Sequence, residues 1–96
     1  MEMLTAIQQK LQQIKPELAL KYHVSSIGLF GSIVRNDFTI DSDIDIVVDF
    51  SQPIGIEFID LANELEDLFK RKIDLVSKNG IKPAYLKLIQ PEIIYV

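Results

Sequence analysis

Five aspartates fall within one largely apolar stretch, LFGSIVRNDFTIDSDIDIVVDF at residues 29–50. Asp41, Asp43 and Asp45 alternate with other residues at the entrance to IVVDF, a run with the character of a buried strand. Burying carboxylates is unfavourable unless a cation or a hydrogen-bond network compensates them. Any fold for this chain must therefore bring something to these side chains.

Composition narrows what that something is. No cysteine is present and His23 is the only histidine, which excludes disulfides, cysteine–zinc sites and multi-histidine metal sites. A metal here would take oxygen ligands, favouring magnesium, calcium or manganese. The net charge of −4 disfavours a broad nucleic-acid surface, which needs clustered cations. Ninety-six residues, 48% of them hydrophobic, suit one domain spanning 1–96 with a modest core. The polar start MEMLTAIQQKLQQ lacks the apolar segment of a signal peptide, and no apolar run is long enough to span a bilayer. A cytoplasmic protein is expected.

Hydrophobic periodicity predicts a helix over 5–20, with Ile7, Leu11, Ile14 and Leu18 on one stripe. Pro16 is expected to kink or divide it near Lys15. Residues 25–30 read as a buried strand, SIVRN at 32–36 as a helical turn or two, and residues 43–50 as a second strand. A helix follows, with Phe58, Leu61, Ala62, Leu65, Leu68 and Phe69 inward and Glu57, Asp60, Glu64 and Asp67 outward. Lys70, Arg71 and Lys72 fall where a helix dipole favours cations. Residues 73–76 form a third strand, Pro83 opens a last helix to about Gln90, and EIIYV closes the chain as a short strand or extended tail. Helices alternating with strands give an α/β or α+β domain with a mixed sheet of three to four strands.

On a strand, Asp43, Asp45, Val47 and Asp49 share one face, and Ile44, Ile46, Val48 and Phe50 share the other. Same-face neighbours lie about 7 Å apart. Two carboxylates at that spacing can lean together around ions about 3.5–4 Å apart, as in two-metal phosphoryl-transfer sites. Asp74, a lone charge between Ile73 and Leu75, is the candidate third ligand. The three should converge, and without a cation their repulsion should raise at least one pKa. Aspartate clusters commonly mark solvated turns, which accounts for TIDSD on its own; it does not account for Asp45 and Asp74 inside apolar strands. An EF-hand is excluded by the absence of its glycine and distal glutamate. Gly31-Ser32 ends one strand and opens a short helix, an arrangement that lets backbone N–H groups and a hydroxyl reach a phosphate. It equally describes an N-capped turn. His23 reads as a surface or cap residue, Asp37 as a loop residue, and Tyr22, Tyr85 and Tyr95 as partly buried packing residues.

Gly31-Ser32, ten residues, then Asp43-Ile44-Asp45 resembles the signature of the DNA polymerase β-like nucleotidyltransferase superfamily, and the extended motif resembles its minimal nucleotidyltransferase (MNT) branch. LEDLFKRKIDLV is similar to that branch's third-carboxylate segment, so the likeness covers nearly the whole chain. The resemblance implies a nucleotidyltransferase fold, ATP as substrate and two Mg²⁺ ions, with Mn²⁺ as a substitute. It implies Gly31 and Ser32 on the β- and γ-phosphates, Arg35 paired with a phosphate, and Asp43, Asp45 and Asp74 as metal ligands, Asp74 also taking the acceptor's proton. Relative to the family's usual Gly-Ser-Arg-Ala-Arg-Gly, Ile33, Val34 and Asn36 depart, and one cationic phosphate contact is absent.

Larger relatives carry added domains that bind the acceptor, and this chain has no residues left for one. Chains of this kind resemble antitoxins that pair with a HEPN-type toxin, a helical RNase, and some of these attach AMP to a tyrosine of it. Three rivals stand beside that reading: an inactive module that masks its partner, the catalytic subunit of an aminoglycoside-type nucleotidyltransferase, and nucleic-acid tailing, which the acidic balance disfavours.

Overall fold

A computed structural model describes residues 2–96. Helix α1 (Glu2–Tyr22) leads into strand β1 (Val24–Phe30), the single-turn helix α2 (Ser32–Arg35) and strand β2 (Ile44–Phe50). Helix α3 (Glu57–Phe69), strand β3 (Ile73–Ser77), helix α4 (Pro83–Ile89) and strand β4 (Ile94–Tyr95) complete the chain. The strands form one sheet in the order β3-β2-β1-β4, antiparallel except for the parallel β2–β3 pair joined through α3. The expected mixed α/β sheet flanked by helices is present, and within EIIYV only Ile94–Tyr95 form a strand.

α1 remains one helix through Pro16. Pro16 is exposed, while Leu11 and Leu18 on either side of it are fully buried, so packing holds both halves although proline removes one backbone bond. His23 ends the helix in the left-handed region, with φ 61° and its N–H donated to the Ala19 carbonyl.

The main core gathers Ile7, Leu11 and Leu18 of α1, Leu61 and Leu65 of α3, and the inward residues Ile27, Leu29, Ile44, Ile46 and Val48 of the sheet. A smaller cluster on the opposite face joins Phe30, Val47 and Ile89, flanked by Val76, Ile81, Leu86 and Ile93. Glu64 does not face free solvent. It accepts hydrogen bonds from Lys21 Nζ at 2.7 Å and Tyr22 Oη at 2.8 Å, tying α3 to α1, and these hold its carboxyl below the usual range. Among the described residues, no helix is long and apolar enough to cross a membrane.

Candidate active site

Strand register places three residues in one transverse row. Phe30 pairs with Asp45 across β1–β2, and Asp45 pairs with Asp74 across β2–β3. Directly paired residues project from the same face, here the face of the smaller cluster. Val47 and Val76 form the next row below them. The acids therefore sit at the end of an apolar strip, and Asp74 lies on β3, an edge strand of the sheet.

Gly31 follows Phe30 directly. Its φ of 77° and ψ of −150° belong to a region essentially restricted to glycine. A Cβ at this position would also stand 2.0 Å from Asp45 Oδ2, so the carboxylate occupies the space a side chain would need. Both constraints demand glycine, and they put Asp45 against the loop carrying Ser32.

Asp45 is half-buried and Asp74 exposed. The Asp45 carboxyl is pushed up to about 6, first by burial, then by the Asp74 charge and a hydrogen bond between the two carboxyls. Asp43 adds a further upward push, and Arg35 opposes it. The predicted trio is thus only partly assembled: Asp45 and Asp74 meet, whereas Asp43 acts through its field. Among the described residues, no three acidic, histidine or cysteine side chains are gathered closely enough to hold a metal. Mutual repulsion of three carboxylates opposes their closure when no cation offsets it.

Two residues outside the expected set shape the site. Glu92, in the turn before β4, accepts the Gly31 N–H at 3.1 Å and meets Arg35 Nη1 at 3.2 Å and 3.4 Å. The backbone donor and the guanidinium assigned to phosphate from sequence thus already hold a carboxylate. Nothing local in the sequence pairs Glu92 with Gly31, since 61 positions separate them. Arg71, read from sequence as a helix-dipole partner, instead lies beyond the end of α3, where Lys70 caps the helix with φ 52°. Its guanidinium turns toward the loop preceding Asp43. Asp37 and Asp41 are exposed on that loop, and Asp49 accepts the N–H of Phe50, away from the acidic row. Of the three tyrosines expected to be partly buried, Tyr22 is buried, while Tyr85 and Tyr95 are about half exposed.

The family model described as "Polymerase beta, Nucleotidyltransferase" matches residues 12–95. The chain belongs to the polymerase β nucleotidyltransferases. Protein adenylyltransferase MntA of Thermococcus cleftensis is 41% identical over 99 residues, covering all of both chains. A solved structure of a candidate minimal nucleotidyltransferase superposes with a TM-score of 0.80 at 25% identity, over 95% of this chain and 93% of that one. The complex of tri-AMPylated Shewanella oneidensis HEPN toxin with an MNT antitoxin shares the fold, with a TM-score of 0.71 at 19% identity over 96% of this chain and 70% of that one. For a nucleotidyltransferase of this family, the loop at Gly31 and the Asp45–Asp74 row occupy adjoining ends of neighbouring strands.

Proposed function

We propose that this nucleotidyltransferase transfers AMP from ATP to a tyrosine hydroxyl of a HEPN-type toxin, acting in the cytoplasm as that toxin's antitoxin. The observation that carries the reading is the row with its adjoining loop: Gly31, in a glycine-only backbone geometry just after β1, stands against Asp45 on β2, which pairs with Asp74 on the edge strand β3. Full-length likeness to an MntA protein adenylyltransferase supports protein as the acceptor. The HEPN partner and AMP product are those of the complex sharing the fold.

In this reading the Gly31 N–H and the Ser32 hydroxyl donate to the β- and γ-phosphates, and the entering triphosphate displaces Glu92 from Gly31 and Arg35. Asp43, Asp45 and Asp74 would hold Mg²⁺ or Mn²⁺. The donor set fits a hard cation, because Asp45 and Asp74 bring two carboxylates together on one face, and burial with the Asp74 charge raises the Asp45 carboxyl where positive charge is wanted. Such ions lower the pKa of the attacking hydroxyl and neutralise charge on the leaving oxygens. Asp74, exposed at the sheet edge, takes the tyrosyl proton. The tyrosyl oxygen bonds to the α-phosphorus as its bond to the bridging oxygen breaks, and pyrophosphate leaves.

Co-expression with a HEPN-type toxin, followed by intact-mass measurement of the toxin, tests the reading. An AMP-sized increment that needs the aspartates supports it. Protection from the toxin without any increment would leave the masking module, which the occupied Gly31 loop favours.

A further inference from the structure

The loop over residues 37–43 curls around one guanidinium. Arg71 Nη1 donates toward the carbonyls of Thr39, Ile40 and Ser42 at 3.3, 3.2 and 3.1 Å. Its guanidinium carbon stands 4.7 Å from the centre of the Phe38 ring, and Phe38 packs against the main core. Within the loop, Ser42 N–H reaches the Thr39 carbonyl, and Ser42 Oγ accepts the Thr39 N–H. Three carbonyl dipoles pointing at one place repel one another unless a cation sits there.

Asp43 is bracketed by this arrangement. The carbonyl before it, that of Ser42, is held by Arg71, and the N–H after it, that of Ile44, donates to the Lys72 carbonyl at 3.0 Å. Arg71 and Lys72 are successive residues leading into β3, whose first N–H, that of Ile73, is held by Glu66 at 3.2 Å. The segment that carries Asp74 thus also grips both sides of Asp43. We propose that Arg71 is a positioning residue that sets Asp43 relative to the Asp45–Asp74 pair, so that the third carboxylate closes on a metal entering the row. The proposal rests on reading these carboxylates as metal ligands.

The test follows metal binding and not turnover. Mn²⁺ is titrated by electron paramagnetic resonance into wild-type, Arg71→Gln and Arg71→Lys proteins, each saturated with a non-hydrolysable ATP analogue. Hydrogen exchange at 39–43 is read in parallel. Arg71→Gln is expected to weaken Mn²⁺ about ten-fold or more, the scale for groups that orient metal ligands. It should also speed exchange at Asp41 and Ser42 while leaving metal-free binding of the analogue unchanged. Arg71→Lys, which keeps the charge but lacks the planar fork, should fall between. Glu64→Gln, which loosens α1 from α3, controls for lost stability and should bind Mn²⁺ as wild type does. Wild-type Mn²⁺ affinity in Arg71→Gln overturns the proposal, as does an equal loss in Glu64→Gln. Should Arg71→Gln fail to fold, wild-type Mn²⁺ affinity in Arg71→Lys overturns it. Wild-type protein that binds no Mn²⁺ overturns the metal reading and this inference together, a result distinct from a silent Arg71.

Discussion

The two faces of β2 solve opposite problems with alternate residues of one strand. Toward α1 and α3, Ile44, Ile46 and Val48 are buried with no polar group among them. Toward α4, Asp45 is half-buried beside a second acid, and only Val47 below it is fully packed. The first face gains from every apolar contact. The second retains charge repulsion that an apolar residue would remove, so its aspartates lower stability in the absence of a cation. Stability and chemistry are thus divided between faces that sit one residue apart.

Replacing Asp43 and Asp45 together with alanine should break this division most visibly. Transfer of AMP to the partner should fall by about 1,000-fold or more, roughly 4 kcal/mol at the transition state, while the melting temperature stays level or rises. A large fall in stability would show that the acids are structural. Leu65→Ala on the other face should behave inversely, losing about 2–5 kcal/mol in urea unfolding but keeping activity per folded molecule. At the boundary between the faces, Ser32→Ala should weaken ATP binding by about 1.5–3 kcal/mol in calorimetry with Mg²⁺. Gly31→Val should do worse, since its side chain has nowhere to go except into Asp45.

Removing charge from the occupied loop should act in the other direction. Glu92→Gln keeps an acceptor for Gly31 but no longer opposes phosphate, so ATP affinity should rise by less than about 1 kcal/mol, the scale of an exposed ion pair. The smallest effect is that of pH on metal-free protein. Asp45 titrates at 3.8 when unfolded and about 6 when folded, so the folded state holds its proton more tightly. Its contribution to stability is therefore full below pH 3.8 and is lost as pH rises toward 6. Glu64, lowered from 4.5, works oppositely, and its contribution is lost on acidification. Melting curves of Asp45→Asn and wild type in chelator should accordingly diverge between pH 4 and 6, with the variant the more stable at the upper end. Parallel curves would mean that neither burial nor the neighbouring acids raise the Asp45 carboxyl in the folded protein.

Much of this was readable from residue order because the signals are local. A helix stripe such as Leu11 and Leu18, or the alternation of Ile44, Ile46 and Val48 with acids, depends only on chain periodicity. The acids at 45 and 74 stand out because each contradicts its apolar surroundings, whereas Gly31 and Asp43 stand out only through their spacing from Asp45. The undivided helix at Pro16 was not readable, since the choice depended on which side of α1 met the core. Nor was the role of Arg71, because a cation after a helix looks alike whether it serves the helix dipole or a distant loop.

By itself, then, the sequence determined the strands and helices, the two faces of β2 and the set of acids available for chemistry, all consequences of neighbour-to-neighbour spacing. Only the tertiary structure decided that Asp45 would meet Asp74 through a parallel pairing, while Asp43 stays apart from their contact. It also placed Glu92 on Gly31 and Arg35, and Arg71 inside the 37–43 loop. These contacts join residues 29 to 61 positions apart, and their energies depend on direction and distance in space, which spacing along a chain does not encode.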